Sequence, residues 1–102
     1  MTDLIFIHRF SGTVWCTVRI KDDPPAPGKT VVWNFEWTGR PQRRHLAEYR
    51  RWVFITAQLL ADRWKARVLC CLSVSPTSAE LWGFEPGGTP KLIEKVALGI
   101  PR

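Results

Sequence analysis

The spacing of hydrophobic and polar positions changes several times along this chain. Leu4 to Phe10 is rich in β-branched and aromatic residues, and Ser11-Gly12 after it offers a tight hairpin turn. Thr13 to Ile20 alternates, with Val14, Cys16, Val18 and Ile20 on one side and Thr13, Trp15, Thr17 and Arg19 on the other, the period of a strand. Lys21 to Lys29, KDDPPAPGK, is rich in proline and reads as a loop that neither strand nor helix can enter. Alternation resumes over Thr30 to Thr38 and places Val31, Trp33, Phe35 and Trp37 on one face.

The period then lengthens. Gly39 ends the strand, and Pro41 suits the first turn of a helix, where its missing N–H costs nothing. From there to about Lys65, Leu46, Tyr49, Val53, Ala57, Leu60 and Trp64 recur at steps of three and four, which makes one apolar stripe. Trp52, Ile55 and Leu59 widen the stripe on one flank. Arg43, Arg44, Arg50, Arg51, Gln58, Asp62 and Lys65 fall on the opposite side at 100° per residue, with Phe54 among them.

Val68 to Val74 is a short continuous apolar run, the pattern of a buried strand. Ser75 to Ser78 is a turn, Ala79 to Glu85 another strand, and Pro86-Gly87-Gly88 a second break. In the tail, Thr89 as a cap, Pro90 as first residue and Gly99 as terminator favour a short helix over Pro90 to Leu98. The alternation of Leu92, Glu94 and Val96 would instead permit a strand.

The order β-β-β-α-β-β predicts an α+β fold in one domain: a single, mostly antiparallel sheet of four or five strands, with one long helix packed across one face. Five strands span roughly 24 Å, and a helix is about 10–12 Å wide, so one helix cannot cover such a sheet. Trp15, Trp82 and Phe84 are expected off the face that Trp33 and Trp37 occupy. The uncovered part would then be an aromatic hollow, closed by the tail or by a second subunit, and a homo-oligomer is expected.

Charge changes the picture at the helix. The net charge is +6, and from Arg40 to Arg67 eight basic residues face only Glu48 and Asp62. The rest of the chain carries seven basic and seven acidic residues, so the whole imbalance sits in that window. Guanidinium groups pair with phosphate in a forked geometry, and a local excess is the footprint of a polyanion site. Arg43 and Arg44 also lie at the positive end of the helix dipole, where each cation is unfavourable by about 0.3–1 kcal/mol. On this reading Arg43, Arg44, Arg50, Arg51 and Lys65 contact nucleic acid or an acidic protein, with Phe54 able to stack. The plainer reading is a solvated helix face; Arg50→Ala and Arg51→Ala are expected to leave stability within about half a kcal/mol while changing partner binding.

Other chemistry is sparse. Cys16, Cys70 and Cys71 are odd in number, and two are adjacent, which is neither a disulfide framework nor a metal spacing. His8 and His45 are the only histidines; His8, in a strand among apolar residues, reads by default as a satisfied core or edge residue, and His45 lies at the helix start with Glu48 three residues on. EPGGTPK, from Glu85 to Lys91, lacks the spacing of a phosphate-cradling loop and reads as a turn. The start, MTDLIFIHRF, has four consecutive apolar residues with an acid before them, so neither a secretion signal nor a membrane span is expected, and a cytoplasmic location is. The sequence points to binding rather than catalysis, with no cofactor and no metal. The alternative to the polyanion reading is a homo-oligomeric module that binds a protein or a small apolar ligand on an aromatic sheet face bearing Trp15, Trp82 and Phe84.

Overall fold

A computed structural model describes residues 3–35, 43–75 and 77–97, with the side chains of 34, 35, 43, 44, 74 and 75 outside that description. In chain order the elements are β1 (Asp3–Phe10), β2 (Thr13–Lys21), β3 (Val31–Phe35), α1 (Arg43–Trp64), β4 (Val68–Ser75), β5 (Ser78–Phe84) and β6 (Lys91–Ala97). The α+β class holds. The single sheet does not: β1 and β2 form a two-stranded sheet of their own, and β3-β4-β5-β6 form a second.

The hairpin is built as its turn residues dictate. Ser11 and Gly12 both take positive φ, 51° and 79°, the backbone that matches the twist of two antiparallel strands. Opposite the step from His8 to Arg9 the register slips, because His8 faces Cys16 and Arg9 faces Val14. Trp15 is therefore the extra residue of a β-bulge, and the bulge re-aims its side chain.

In the larger sheet β3 runs parallel to β4, while β4-β5 and β5-β6 are antiparallel. Parallel neighbours need a crossover, and α1 supplies it. The helix ends as its geometry demands. Lys65 adopts φ 48°, and the Ala66 N–H reaches back to the Ala61 carbonyl at 3.1 Å, a six-to-one closure of the last turn.

The tail is a strand, not a helix: Lys91–Ala97 pairs with β5 from Gly83↔Lys91 to Ser78↔Ala97. A nine-residue helix is marginal on its own, whereas the free edge of β5 offers a backbone partner at nearly every position.

The core forms where α1 meets β4. Val53, Ala57, Leu60 and Ala61 of the helix are fully buried, as are Val68, Cys70 and Leu72 of β4 and Phe84 of β5. The flank residues assigned to the stripe do not all join it. Trp52 packs on the core, but Ile55 and Leu59 face outward, 58% and 47% exposed. The hairpin explains why one helix suffices. It lies along the helix on the β3 side, with Phe6 edge-on to Trp33 at 6.5 Å and His8 against Tyr49 and Trp52. Helix and hairpin thus share one face of the four-stranded sheet. Among the described residues, no helix is long and apolar enough to cross a membrane.

Candidate functional site

The polar line of the helix leans against β5 more than it faces water. Arg50 Nη2 lies 2.9 Å from Glu80 Oε1, and its guanidinium sits over the Phe54 and Trp82 rings at 5.4 and 5.2 Å. Glu80 also accepts a 3.1 Å bond from the Trp82 indole N–H. Gln58 donates to the Glu85 carbonyl at 2.8 Å, and Asp62 accepts from the Gly87 N–H at 2.7 Å, so this line pins the β5–β6 turn to the helix. The Gly87 N–H, and after it a 3.0 Å bond donated by Gln58 Nε2, hold the Asp62 carboxyl below its ordinary range.

Other basic residues of the +6 window behave alike. Arg63 pairs with Asp22 from the loop after β2, and the Trp64 indole donates to the same carboxylate at 2.9 Å. The two partners pull the Asp22 carboxyl down to about 2. Arg67 pairs with Glu85 at 3.1 Å. Arg51 and Lys65 are exposed and carry no described ion pair. The side chains of Arg43 and Arg44, and all of Arg40, lie outside the described residues. The proposed stripe is thus not one continuous row: Arg50 is inside a salt bridge, and Arg51 and Lys65 are separated by nearly four turns of helix.

Lys65 does gain company. With Lys29 and Arg67 it rims an open depression of about 540 Å³ between the proline-rich loop and the end of α1, floored by Pro25, Trp64 and Pro86.

The aromatic positions are rearranged more thoroughly. Phe54 is not on the solvent side: it packs on Trp82 at 4.6 Å and Phe84 at 5.7 Å. Trp82 and Phe84 face the helix, and Phe84 is fully buried. Trp15 reaches the His45 ring at 4.3 Å, with 44% of its surface exposed. Trp33 is on the helix side as the alternation requires, while Trp37 lies outside the described residues. The open face of the four-stranded sheet is therefore aliphatic rather than aromatic. Val32, Leu69, Leu81, Val96 and the bulged Ile93 occupy it beside Cys71, Ser73, Lys91 and Glu94, with Gly83 beneath Ile93. Val32 is 59% exposed and Ile93 46%. Among the described elements, α1 packs on β1, β4 and β5, all on the inner side, and none covers this outer face.

The residues that sequence reasoning missed are the two histidines as a pair. His8 Nε2 and His45 Nε2 are 3.1 Å apart, the rings are parallel to within 1°, and the two residues are only 4% and 5% exposed. Phe10 stacks on His45 at 4.6 Å, and Tyr49 and Trp52 close around His8. One ring must donate its Nε2–H and the other accept. Burial lowers both imidazoles below the usual histidine value; the facing His45 lowers His8 further, while the Glu48 charge works in the opposite direction on both. His45 Nδ1 is buried and has no partner among the described residues. Among the described residues, no third metal-ligating side chain joins the pair. The only sequence signal was that both residues fall on inward positions of a strand and a helix 37 residues apart.

Of the three cysteines Cys70 is buried, and Cys16 and Cys71 are partly exposed. All three are free, and Cys70 is pushed up to about 12, by burial first and then by neighbouring Cys71, so its reactive thiolate is suppressed. Comparison with protein-family models, curated proteins and solved structures finds no match to this chain.

Proposed function

We propose that the chain is a non-enzymatic binding module that pairs with a second copy of itself through the open face of its four-stranded sheet. The single observation behind this is that face: adjacent aliphatic side chains from β3, β4, β5 and β6, with Val32 59% exposed and no described element over them. Monomeric proteins rarely leave a continuous apolar patch of more than a few hundred Å² uncovered, and the patches they do leave are often functional. Four strands about 4.8 Å apart, each contributing five or six residues at about 3.3 Å, give a face of roughly 350 Å², so a sheet-on-sheet dimer buries on the order of 700 Å² in all, the scale of a weak, reversible contact. The charges also suit a self-complementary contact, because Lys91 and Glu94 of β6 pair with Gly83 and Leu81, residues of this face, so a twofold axis can bring opposite signs together.

Sedimentation equilibrium at micromolar concentration tests this. The wild-type chain is expected to sediment as a dimer. Ile93→Lys and Val32→Glu, both at exposed positions, should give monomers with unchanged far-ultraviolet circular dichroism. A strictly monomeric wild type would end the proposal.

A second reading has its own observation. Lys29, Lys65 and Arg67 rim one depression, offset only by Glu85, and Arg51 is exposed on the helix. That supports contact with nucleic acid or an acidic protein through Arg51 and Lys65. It stands second because Arg50, Arg63 and Arg67 are each matched by a carboxylate of the same chain.

A further inference from the structure

The hairpin β1–β2 shares no hydrogen-bonded ladder with the other sheet, and a two-stranded hairpin is marginal by itself in water. Side chains hold it down. At its tip, His8 bonds His45, and Phe10 and Trp15 lie against the same imidazole. Midway, Phe6 meets Trp33. Past its base, Asp22 clamps Arg63 and Trp64 at the far end of α1.

We propose that the hairpin is an acid-released flap, latched at its tip by the neutral His8–His45 bond and unlatched when that pair takes up protons while the Asp22 clamp keeps its base in place.

The chemistry follows from the geometry. An Nε2–H···Nε2 bond needs one protonated and one bare nitrogen, and two neutral rings satisfy it. A first extra proton places a cation in a nearly water-free shell, where the faces of Phe10 and Trp15 soften its cost. A second leaves two N–H donors and two positive charges facing each other across 3.1 Å, with neither bond nor water between them. The groups around the pair offer little relief. On α1, Tyr49 is pushed up to about 12 and stays neutral, and among the described residues Glu48 is the acid whose charge favours the imidazolium forms. On β2, Cys16 is raised by burial and is neutral as well. Lifting the tip would also admit water to the buried His45 Nδ1.

The sign is fixed by linkage. Both imidazoles are lowered in the docked state, so the lifted state binds more protons, and docking weakens as pH falls below the ordinary histidine value of 6.5. Asp22 is held near 2, so its clamp persists until far lower pH. The window between them is where the tip opens alone and bares the inner side of the hairpin with Tyr49 and Trp52.

Amide hydrogen exchange on the full chain, corrected for the intrinsic pH dependence of exchange, tests this at about pH 7.5 and about pH 5. Protection over residues 3–21 should fall by up to about tenfold per pH unit for each proton taken up, while β4 and β5 keep theirs. His45→Phe, which fills the aromatic shell with a ring that cannot titrate, and His8→Gln, which keeps a donor facing His45, should each abolish or reduce this response. If His45→Phe fails to fold, His8→Gln alone decides. Hairpin protection that falls no further than that of β4, or an undiminished acid response in His8→Gln, would overturn the proposal.

Discussion

Arg50 shows how much a single position can change once its neighbours are known. By helical periodicity it is a surface cation, and its removal should cost almost nothing. In the fold its guanidinium bridges Glu80 and lies on two aromatic rings, and Glu80 is only 13% exposed. Arg50→Ala leaves that carboxylate with the Trp82 indole as its one donor among the described residues. We expect the change to cost about 1–2 kcal/mol, against about zero for exposed Arg51→Ala. Urea unfolding of the two variants checks the contrast, and a double-mutant cycle with Glu80→Gln isolates the coupling. Nothing in the sequence around Arg50 names Glu80, thirty residues away on another element. The centre of the apolar side of the same helix was legible, because burial of Tyr49, Val53, Ala57 and Leu60 follows from spacing alone, whereas its flanks at Ile55 and Leu59 were not.

At the scale of elements, strands and helix were read correctly wherever a regular period and a strong terminator coincided. The Ser11-Gly12 turn, the loop before β3 and the end of α1 near Lys65 are examples. The failures have physical causes. The tail carried helix caps, but the free edge of β5 competes for its backbone, and capping signals cannot report a distant edge. Trp15 was assigned by strict alternation, and one extra residue in the ladder defeats alternation locally. Lys65 offers a test at this scale. It occupies the left-handed position that closes the helix, where a side chain costs about 1 kcal/mol relative to glycine. Lys65→Gly should therefore raise stability by up to about 1 kcal/mol, read as a higher midpoint in thermal unfolding. A fall would mean that the lysine charge at the negative end of the helix outweighs the strain.

The whole molecule is organised by what each surface lacks. The inner sheet face is covered twice, by α1 and by the hairpin, and the outer face not at all among the described elements. The local charge excess is likewise reduced by folding, since Asp22, Glu80 and Glu85 are drawn from outside the basic window to meet Arg63, Arg50 and Arg67. This bears on any polyanion. With Arg51 and Lys65 as the described free cations of the helix window, the salt dependence of binding to duplex or single-stranded DNA should be shallow. Arg51→Ala and Lys65→Ala should each lower the slope of log K against log salt by about one. Fluorescence anisotropy across a salt series measures it, and a slope unchanged by both substitutions would remove the helix from that role.

The sequence by itself determined the class of the fold, the end of the helix near Lys65, the centre of its buried stripe and the hairpin turn. Those depend on periodicity and on residues next to one another in the chain. Only the tertiary structure decided that the strands split into two sheets, that the open face is aliphatic, that the arginines have internal partners and that His8 meets His45. Each of these joins positions far apart in the chain, and the free energy of such a contact depends on a distance that local spacing does not encode.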